Sequence, residues 1–217
     1  MKKTRHDNVL IDGRRLYTYN SSIGNSVYGE RLVNYKGQEI RQWDPTRSKL
    51  GAAIMKNIDL PKLKRSHAWL YLGASSGTTV SHVSDIVDDG LVYALEFAPR
   101  VLRELYFLSK DRINIAPIFA DANNIDSYSH LISGVDVVFQ DIAQREQVNI
   151  FLKNLRFLKD NGIAILSCKS RSIDVAAKPK DIFKKVEKEL KASCEIIDFK
   201  TLEPFELDHA VFVCKKK

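Results

Sequence analysis

Tyr71-Leu72-Gly73-Ala74-Ser75-Ser76-Gly77-Thr78-Thr79 decides how the rest of this chain is read. The apolar run Ala68 to Leu72 leads into a turn of small residues, after which Val80, Val83, Ile86 and Val87 recur at helical spacing. That pattern predicts a buried strand, a tight turn and a helix. Small residues in such a turn let a ligand approach the main chain. The helix's first N–H groups, with the hydroxyls of Thr78 and Thr79, offer donors to it. Gly73-x-x-x-Gly77 is not the G-x-G-x-x-G dinucleotide fingerprint, nor does it carry the Lys-Ser/Thr of a phosphate loop. By itself the turn fits a plain strand-to-helix connection as well as a cofactor cradle.

Towards the C-terminus a second strand, Leu91 to Leu95, ends at Glu96. An acid roughly 20 residues beyond the glycine turn is where nucleotide-binding α/β domains hold a ribose hydroxyl pair. The same carboxylate also suits a cap for the helix that Pro99 opens. A third strand is predicted near Ile113 to Phe119, ending at Asp121-Ala122, and a fourth from Val135 to Phe139, ending in Gln140-Asp141-Ile142-Ala143-Gln144. A helix through Val148, Leu152, Leu155 and Leu158 follows, then a fifth strand, Ile163 to Cys168, that stops at Lys169. Beyond Pro179 a helix turns Ile182, Val186 and Leu190 inward and sets Lys180, Lys184, Lys188 and Lys191 along another face. Two late strands, Glu195 to Phe199 and Ala210 to Cys214, are joined through an acidic turn, Glu203 to Asp208, and His209. With no helical pattern between them they read as an antiparallel pair at the sheet's edge. Alternating strands and helices predict a mostly parallel sheet whose ligands sit beyond the strands' carboxyl ends. Glu96, Asp121 and Asp141 share that rim, and Lys169 faces them.

Ahead of this domain, residues 8 to 43 read as short strands joined by turns, with Asp12-Gly13 and Lys36-Gly37 as hairpin signals. The strands are Val9 to Ile11, Leu16 to Tyr19, Val27 to Tyr35 and Glu39 to Trp43. The predicted organisation is an antiparallel β domain over residues 1–46 and an α/β domain over 47–217. Tyr17, Tyr19, Tyr28, Tyr35 and Trp43, among Arg14, Arg15, Arg31 and Lys36, suit either an RNA-facing surface or one packed sheet face. Asp44-Pro45 reads as an N-cap and first helical position, with Leu50, Ile54 and Ile58 on one face. On this reading Lys49 is an exposed helical lysine. Gly51 within that helix costs about 1 kcal/mol against alanine, with no reason visible in the sequence.

The chain has 217 residues, 44% of them hydrophobic, which suffices for a real core and excludes disorder. A net charge of +7 and a pI near 9.2 suit a polyanionic partner, nucleic acid first. MKKTRHDNVL has no apolar run of a secretory signal, and no stretch approaches the roughly 18 apolar residues of a membrane span. A cytoplasmic protein is expected. Cys168, Cys194 and Cys214 lack C-x-x-C spacing, so buried thiols are expected rather than a disulfide framework or a zinc site.

Seven strands with this ending, a glycine turn after the first and acids after the next three, resemble a class I S-adenosylmethionine-dependent methyltransferase, a Rossmann-like α/β fold. A narrower resemblance lies in Tyr71 to Val83, Glu96-Phe97-Ala98-Pro99-Arg100, Asp141-Ile142-Ala143-Gln144, Lys169-Ser170-Arg171-Ser172-Ile173-Asp174 and Glu203-Pro204-Phe205-Glu206-Leu207-Asp208-His209. With Trp43-Asp44-Pro45 and Arg47-Ser48-Lys49-Leu50, these resemble fibrillarin from about residue 9 to the end. No Gly/Arg-rich extension is present, which is similar to archaeal, cytoplasmic members.

The resemblance implies methylation of ribose 2′-hydroxyls in rRNA, with tRNA as a further target, guided by box C/D RNA within a ribonucleoprotein. Its implied partners are a Nop5-type scaffold and the RNA-binding protein L7Ae. It implies S-adenosyl-L-methionine as cofactor, bound by Gly73, Thr78, Thr79, Glu96, Phe97, Asp121, Ala122, Asp141, Ile142, Ala143 and Gln144. The family's Lys-Asp-Lys-His set falls on Lys49, Asp141, Lys169 and His209. In the expected chemistry Lys169, oriented by Asp141, accepts the hydroxyl proton or stabilises the developing alkoxide. A neighbouring carboxylate favours the second role, and Lys49 and His209 position the ribose. Two alternatives stay open: a methyltransferase for a base or protein side chain, and a non-catalytic RNP subunit.

Overall fold

The computed structural model describes residues 1–217. The chain opens with a five-stranded antiparallel sheet: β1 (Lys2–Lys3), β2 (Val9–Asp12), β3 (Arg15–Tyr19), β4 (Leu32–Tyr35) and β5 (Gln38–Trp43), in the order β1-β2-β3-β5-β4. Asp12 pairs with Arg15, so the first hairpin turns through Gly13-Arg14, one residue later than expected. Lys36 and Gly37 both have positive φ, 54° and 81°, as a two-residue hairpin turn between paired Tyr35 and Gln38 requires. The strand expected over 27–35 is shorter, because Val27 and Tyr28 turn their N–H groups to the carboxylate of Glu30.

The second sheet has seven strands, with the helices named in chain order between them: α1 (Lys49–Met55), β6 (Ala68–Leu72), α2 (Thr78–Ile86), β7 (Leu91–Glu96), α3 (Pro99–Asp111), β8 (Ile115–Phe119), β9 (Val135–Gln140), α4 (Gln147–Asn154), β10 (Leu158–Lys169), α5 (Ser170–Ile173), α6 (Pro179–Ser193), β11 (Cys194–Thr201) and β12 (His209–Lys216). Their order is β11-β12-β10-β9-β6-β7-β8. β12 runs antiparallel to both its neighbours, and the remaining pairs are parallel. From β6 the chain winds outward through β7 and β8, then returns to place β9 on β6's other side. The crevice between β6 and β9 is therefore the topological switch point, where ligands bind in such sheets. No helix is long and apolar enough to cross a membrane.

Each sheet face carries its own apolar cluster. One joins Trp69, Val92, Val137 and Ile165 to α1, α2 and α3 and also to Val9, Leu16 and Trp43 of the N-terminal sheet. The other joins Leu70, Val138, Leu166 and Phe212 to Phe151 of α4 and Ile182, Val186 and Leu190 of α6. Tyr17 and Trp43 are buried, so these two aromatics pack inward. The three cysteines are buried and unpaired by disulfide.

Two boundaries differ from expectation for local reasons. α1 starts at Lys49 with Ser48 as N-cap, its hydroxyl accepting from the Gly51 N–H at 3.2 Å. Asp44 is occupied elsewhere, accepting from the N–H and hydroxyl of Thr46 in a turn, and Ile58 lies beyond the helix end. Leu155 sits in a 3-10 turn and Leu158 opens β10, so the helical spacing of the two leucines ran past the end of α4. Gly51 now has a reason: a Cβ there would stand 2.9 Å from the indole nitrogen of Trp43.

A buried charge network clamps the N-terminal sheet to α2. Arg41 of β5 sits 3.0 Å from Glu30 and 3.6 Å from Asp85, and Arg112 also bonds Asp85; all four side chains are at most 2% exposed. Thr18 donates to Asp85 at 2.8 Å, so its oxygen accepts from His82 Nδ1 at 2.8 Å. His82 Nε2 is then left as an acceptor for the Tyr28 hydroxyl (2.8 Å) and Arg41 (3.2 Å). Burial, then the two guanidiniums, hold His82 well below the ordinary histidine range, so it is neutral, and its ring stacks on Trp43 at 4.9 Å. Nothing local in the sequence announces these long-range partners.

Candidate active site

At the switch point the strand ends are stitched by main-chain bonds. Asp141 N–H donates to Leu72 O at 2.9 Å, and the N–H groups of Gly73 and Ala74 both donate to Leu95 O at 3.0 Å. Gly73 has φ 82°, and a Cβ on it would run into the Asp141 carbonyl. Its first service is thus to let the two loops touch. Gly77, at φ 96°, caps α2 in the left-handed region.

The loops enclose a cavity of about 320 Å³, lined by Gly73, Ser75, Leu95, Glu96, Phe97, Ala120, Asp121, Ala122 and Asp141 through Gln144. Glu96 is 6% exposed, and each carboxylate oxygen already holds one main-chain N–H: Ser75 at 2.8 Å and Ala98, the N-cap of α3, at 2.9 Å. Capping and cavity lining are therefore both true of this residue, and no further bond takes its remaining lone pairs. Phe97 is 59% exposed at the cavity, an open aromatic face. Asp121 takes the Asn123 N–H at 2.9 Å on one oxygen and leaves the other open.

Thr78 and Thr79 lie apart from this cavity. Thr78 lines a separate hollow with Tyr28 and Arg47. Thr79 is buried and its hydroxyl donates to Ser48 at 3.0 Å; the neighbouring Tyr71 phenol is pushed well above its usual range, first by burial and then by Asp141. Since Ser48 caps α1, Thr79 fixes the helix end that carries Lys49.

The four candidate catalytic residues converge beside the cavity. Lys49 Nζ lies 3.4 Å from Asp141 Oδ2 and is only 25% exposed, unlike a free surface lysine. Lys169, last in β10, stands directly across the ladder from His209, first in β12. His209 Nδ1 donates to Leu207 O at 2.7 Å, which leaves Nε2 as the ring's acceptor when neutral. Glu206 completes the group, 3.8 Å from Lys49 Nζ and 3.9 Å from His209 Nδ1. The arrangement joins a pocket for hydroxyl-bearing and aromatic groups to the Lys49 ammonium, two carboxylates and an imidazole, with Lys169 opposite the imidazole in the ladder.

A sequence model of the fibrillarin family matches residues 1–217. The chain belongs to the fibrillarin family. It is 51% identical over 214 residues to the fibrillarin-like rRNA/tRNA 2′-O-methyltransferase of Methanosarcina barkeri, covering 96% of this chain and 94% of that protein. The crystal structure of Aeropyrum pernix fibrillarin with natively bound S-adenosyl-L-methionine superposes with a TM-score of 0.87 at 43% identity, over 98% of this chain and 96% of that one. A fibrillarin/Nop5p complex contains a chain that matches with a TM-score of 0.90 at 38% identity, each chain fully covered. Within this fibrillarin fold, the sequence pattern assigns no part to Glu206, although it lies in the Glu203–His209 stretch, or to Gln147. A carboxylate placed i, i+3 from a histidine was the available signal for Glu206.

Proposed function

We propose that this chain is the methyltransferase subunit of a box C/D ribonucleoprotein and methylates ribose 2′-hydroxyls in rRNA and tRNA. The observation that carries this reading is Asp141, whose residue lines the cavity while its side chain pairs with Lys49. Cofactor pocket and catalytic cluster thus meet at one residue.

The cavity residues suit S-adenosyl-L-methionine, which when bound supplies a methyl group already activated on a sulfonium. Gly73, Glu96, Phe97, Asp121, Ala122 and Asp141 through Gln144 would hold it. Glu96 offers lone pairs to a ribose hydroxyl pair, Phe97 offers a face to a base, and the acids suit its positive groups. The remaining work is alignment of a weak nucleophile. Lys169 stabilises the negative charge that develops on the 2′-oxygen. His209, its Nδ1–H committed to Leu207, receives a ribose hydroxyl at Nε2, and Lys49, held by Asp141 and Glu206, orients the adjoining groups.

No cavity or motif here reads RNA bases in sequence, which fits targets chosen by a base-paired guide. The Nop5-type scaffold is the partner best supported, through the relative found with Nop5p. L7Ae and the guide RNA complete the proposed particle, and the archaeal relatives point to the cytoplasm. We read residues 1–46 as an antiparallel β domain and 47–217 as the methyltransferase domain. Reconstitution tests this: methyl transfer to a complementary RNA is expected to need guide and partners, and equal rates for the chain alone would contradict it.

A further inference from the structure

Gln147, first residue of α4, is a fully buried amide that the chemistry above does not use. Its Oε1 accepts from the Lys169 N–H at 3.1 Å, and its Nε2 donates to the Lys169 carbonyl at 3.1 Å. Nε2 also donates to Gln144 O at 3.0 Å, and Gln147's own carbonyl accepts from Gln140 Nε2 at 2.6 Å. The reason such a contact is needed lies in the sheet. β9 and β10 last pair at Gln140 and Leu166, so at Lys169, three residues on, β10 has no strand on that side. The Gln147 amide stands where the missing peptide group would be.

Because Gln147 takes both main-chain groups of Lys169, the facing Lys169–His209 pair is of the non-hydrogen-bonded kind, in which side chains lie closest. Ser170 N–H, the next donor, instead reaches Asp208 O at 3.0 Å. Lys169 is also the point where an extended strand (φ −97°, ψ 106°) passes at once into the helical turn α5. A small backbone rotation there would swing its ammonium group away from the site.

We infer that Gln147 is a positioning residue: its side-chain amide acts as a one-residue surrogate strand that aims Lys169 and ties it to the Gln144 wall of the cofactor pocket. The inference rests on the proposed role of Lys169, and the test separates the two. Gln147→Met and Gln147→Glu are each made alone and with Lys169→Ala, then assayed in the assembled particle under single turnover. Gln147→Glu keeps the volume and one acceptor but sets an oxygen against the carbonyls of residues 144 and 169, so it serves if the Met variant does not fold.

The expected result is a rate loss of about 10-fold or more for each single variant, with cofactor affinity changed less than about threefold. In the Lys169→Ala background the same change should cost less than about twofold, since the residue acts through that lysine. Hydrogen exchange of the Lys169 amide in the cofactor-free protein should accelerate about 10-fold or more while residues 163–167 stay protected. Equal losses with and without Lys169 would overturn the inference, as would a wild-type rate once the Lys169 amide exchanges freely. If Lys169→Ala alone turned over normally, the reading of Lys169 itself would fail, and the inference with it.

Discussion

Two clusters of charge in this molecule use the same residue types to opposite ends. In the joint between the N-terminal sheet and α2, Glu30, Arg41, Asp85 and Arg112 are at most 2% exposed, with Arg41 3.0 Å from Glu30 and 3.6 Å from Asp85 and Arg112 bonded to Asp85. At the strand ends, Lys49, Asp141, Glu206 and His209 keep 10–25% exposure and stand 3.4–3.9 Å apart. Charges paired and closed off from solvent hold a joint and are out of a ligand's reach. Partly exposed charges at loose range retain capacity for a substrate. Spare capacity beside a cavity, rather than charge itself, separates a site from a clamp.

The largest expected effect falls on the clamp. Asp85→Ala leaves two guanidiniums buried without their shared carboxylate and should cost about 3–5 kcal/mol in denaturant unfolding. Should the loss stay under 1 kcal/mol, the clamp would be an ornament of the fold. On the other side, Lys169→Ala should lower methyl transfer by about 10²–10³-fold while stability and cofactor binding hold. Near-normal turnover would erase the distinction drawn here.

Acid should probe two buried histidines next, His82 in the joint and His6 beside Leu63. His82 is held well below the ordinary range and His6 is lowered to about 4, burial being the main cause of both. Groups with depressed folded values leave the unfolded chain binding protons first. Their stabilisation is therefore full above about pH 6.5 and is lost as pH falls towards their folded values, up to about 3 kcal/mol for His6. Unfolding curves at pH 7.5 and 5 should show it; equal stability would mean that both histidines accept protons freely in the folded state.

Two smaller effects sharpen the site side. Gly73→Ala sets a Cβ against the Asp141 carbonyl at φ 82° and should weaken cofactor binding by about 10-fold, with about 1–3 kcal/mol of stability. Phe97→Ala removes an exposed ring, so calorimetry should find about three- to tenfold weaker cofactor binding with stability moved less than about 0.5 kcal/mol. Unchanged affinity in Phe97→Ala would take that ring out of the pocket.

Much of this was legible because it is local. The glycine turn, the period-matched apolar runs and the acids after three strands each sit within a few residues of the feature they specify. Lys49 and His209 were legible only through resemblance, because one helical lysine and one turn histidine carry no local mark. Glu30, Arg41, Asp85 and Arg112 were not legible, since their partners come from separate elements. The expected cap of α1, Asp44, gives way to Ser48 because both residues can cap, and the choice goes with Thr46 occupying Asp44 and Thr79 bonding Ser48. Thr79 was assigned to the cofactor for the same reason: a hydroxyl at a helix start does not declare which neighbour it serves.

The most direct test asks where the methyl group goes. The chain is incubated with methyl-labelled cofactor, guide RNA, partners and complementary target, and the RNA is hydrolysed in alkali, which cleaves only beside a free 2′-hydroxyl. Label retained in alkali-resistant dinucleotides is the predicted result. Label released in mononucleotides would place the methyl on a base and contradict the account.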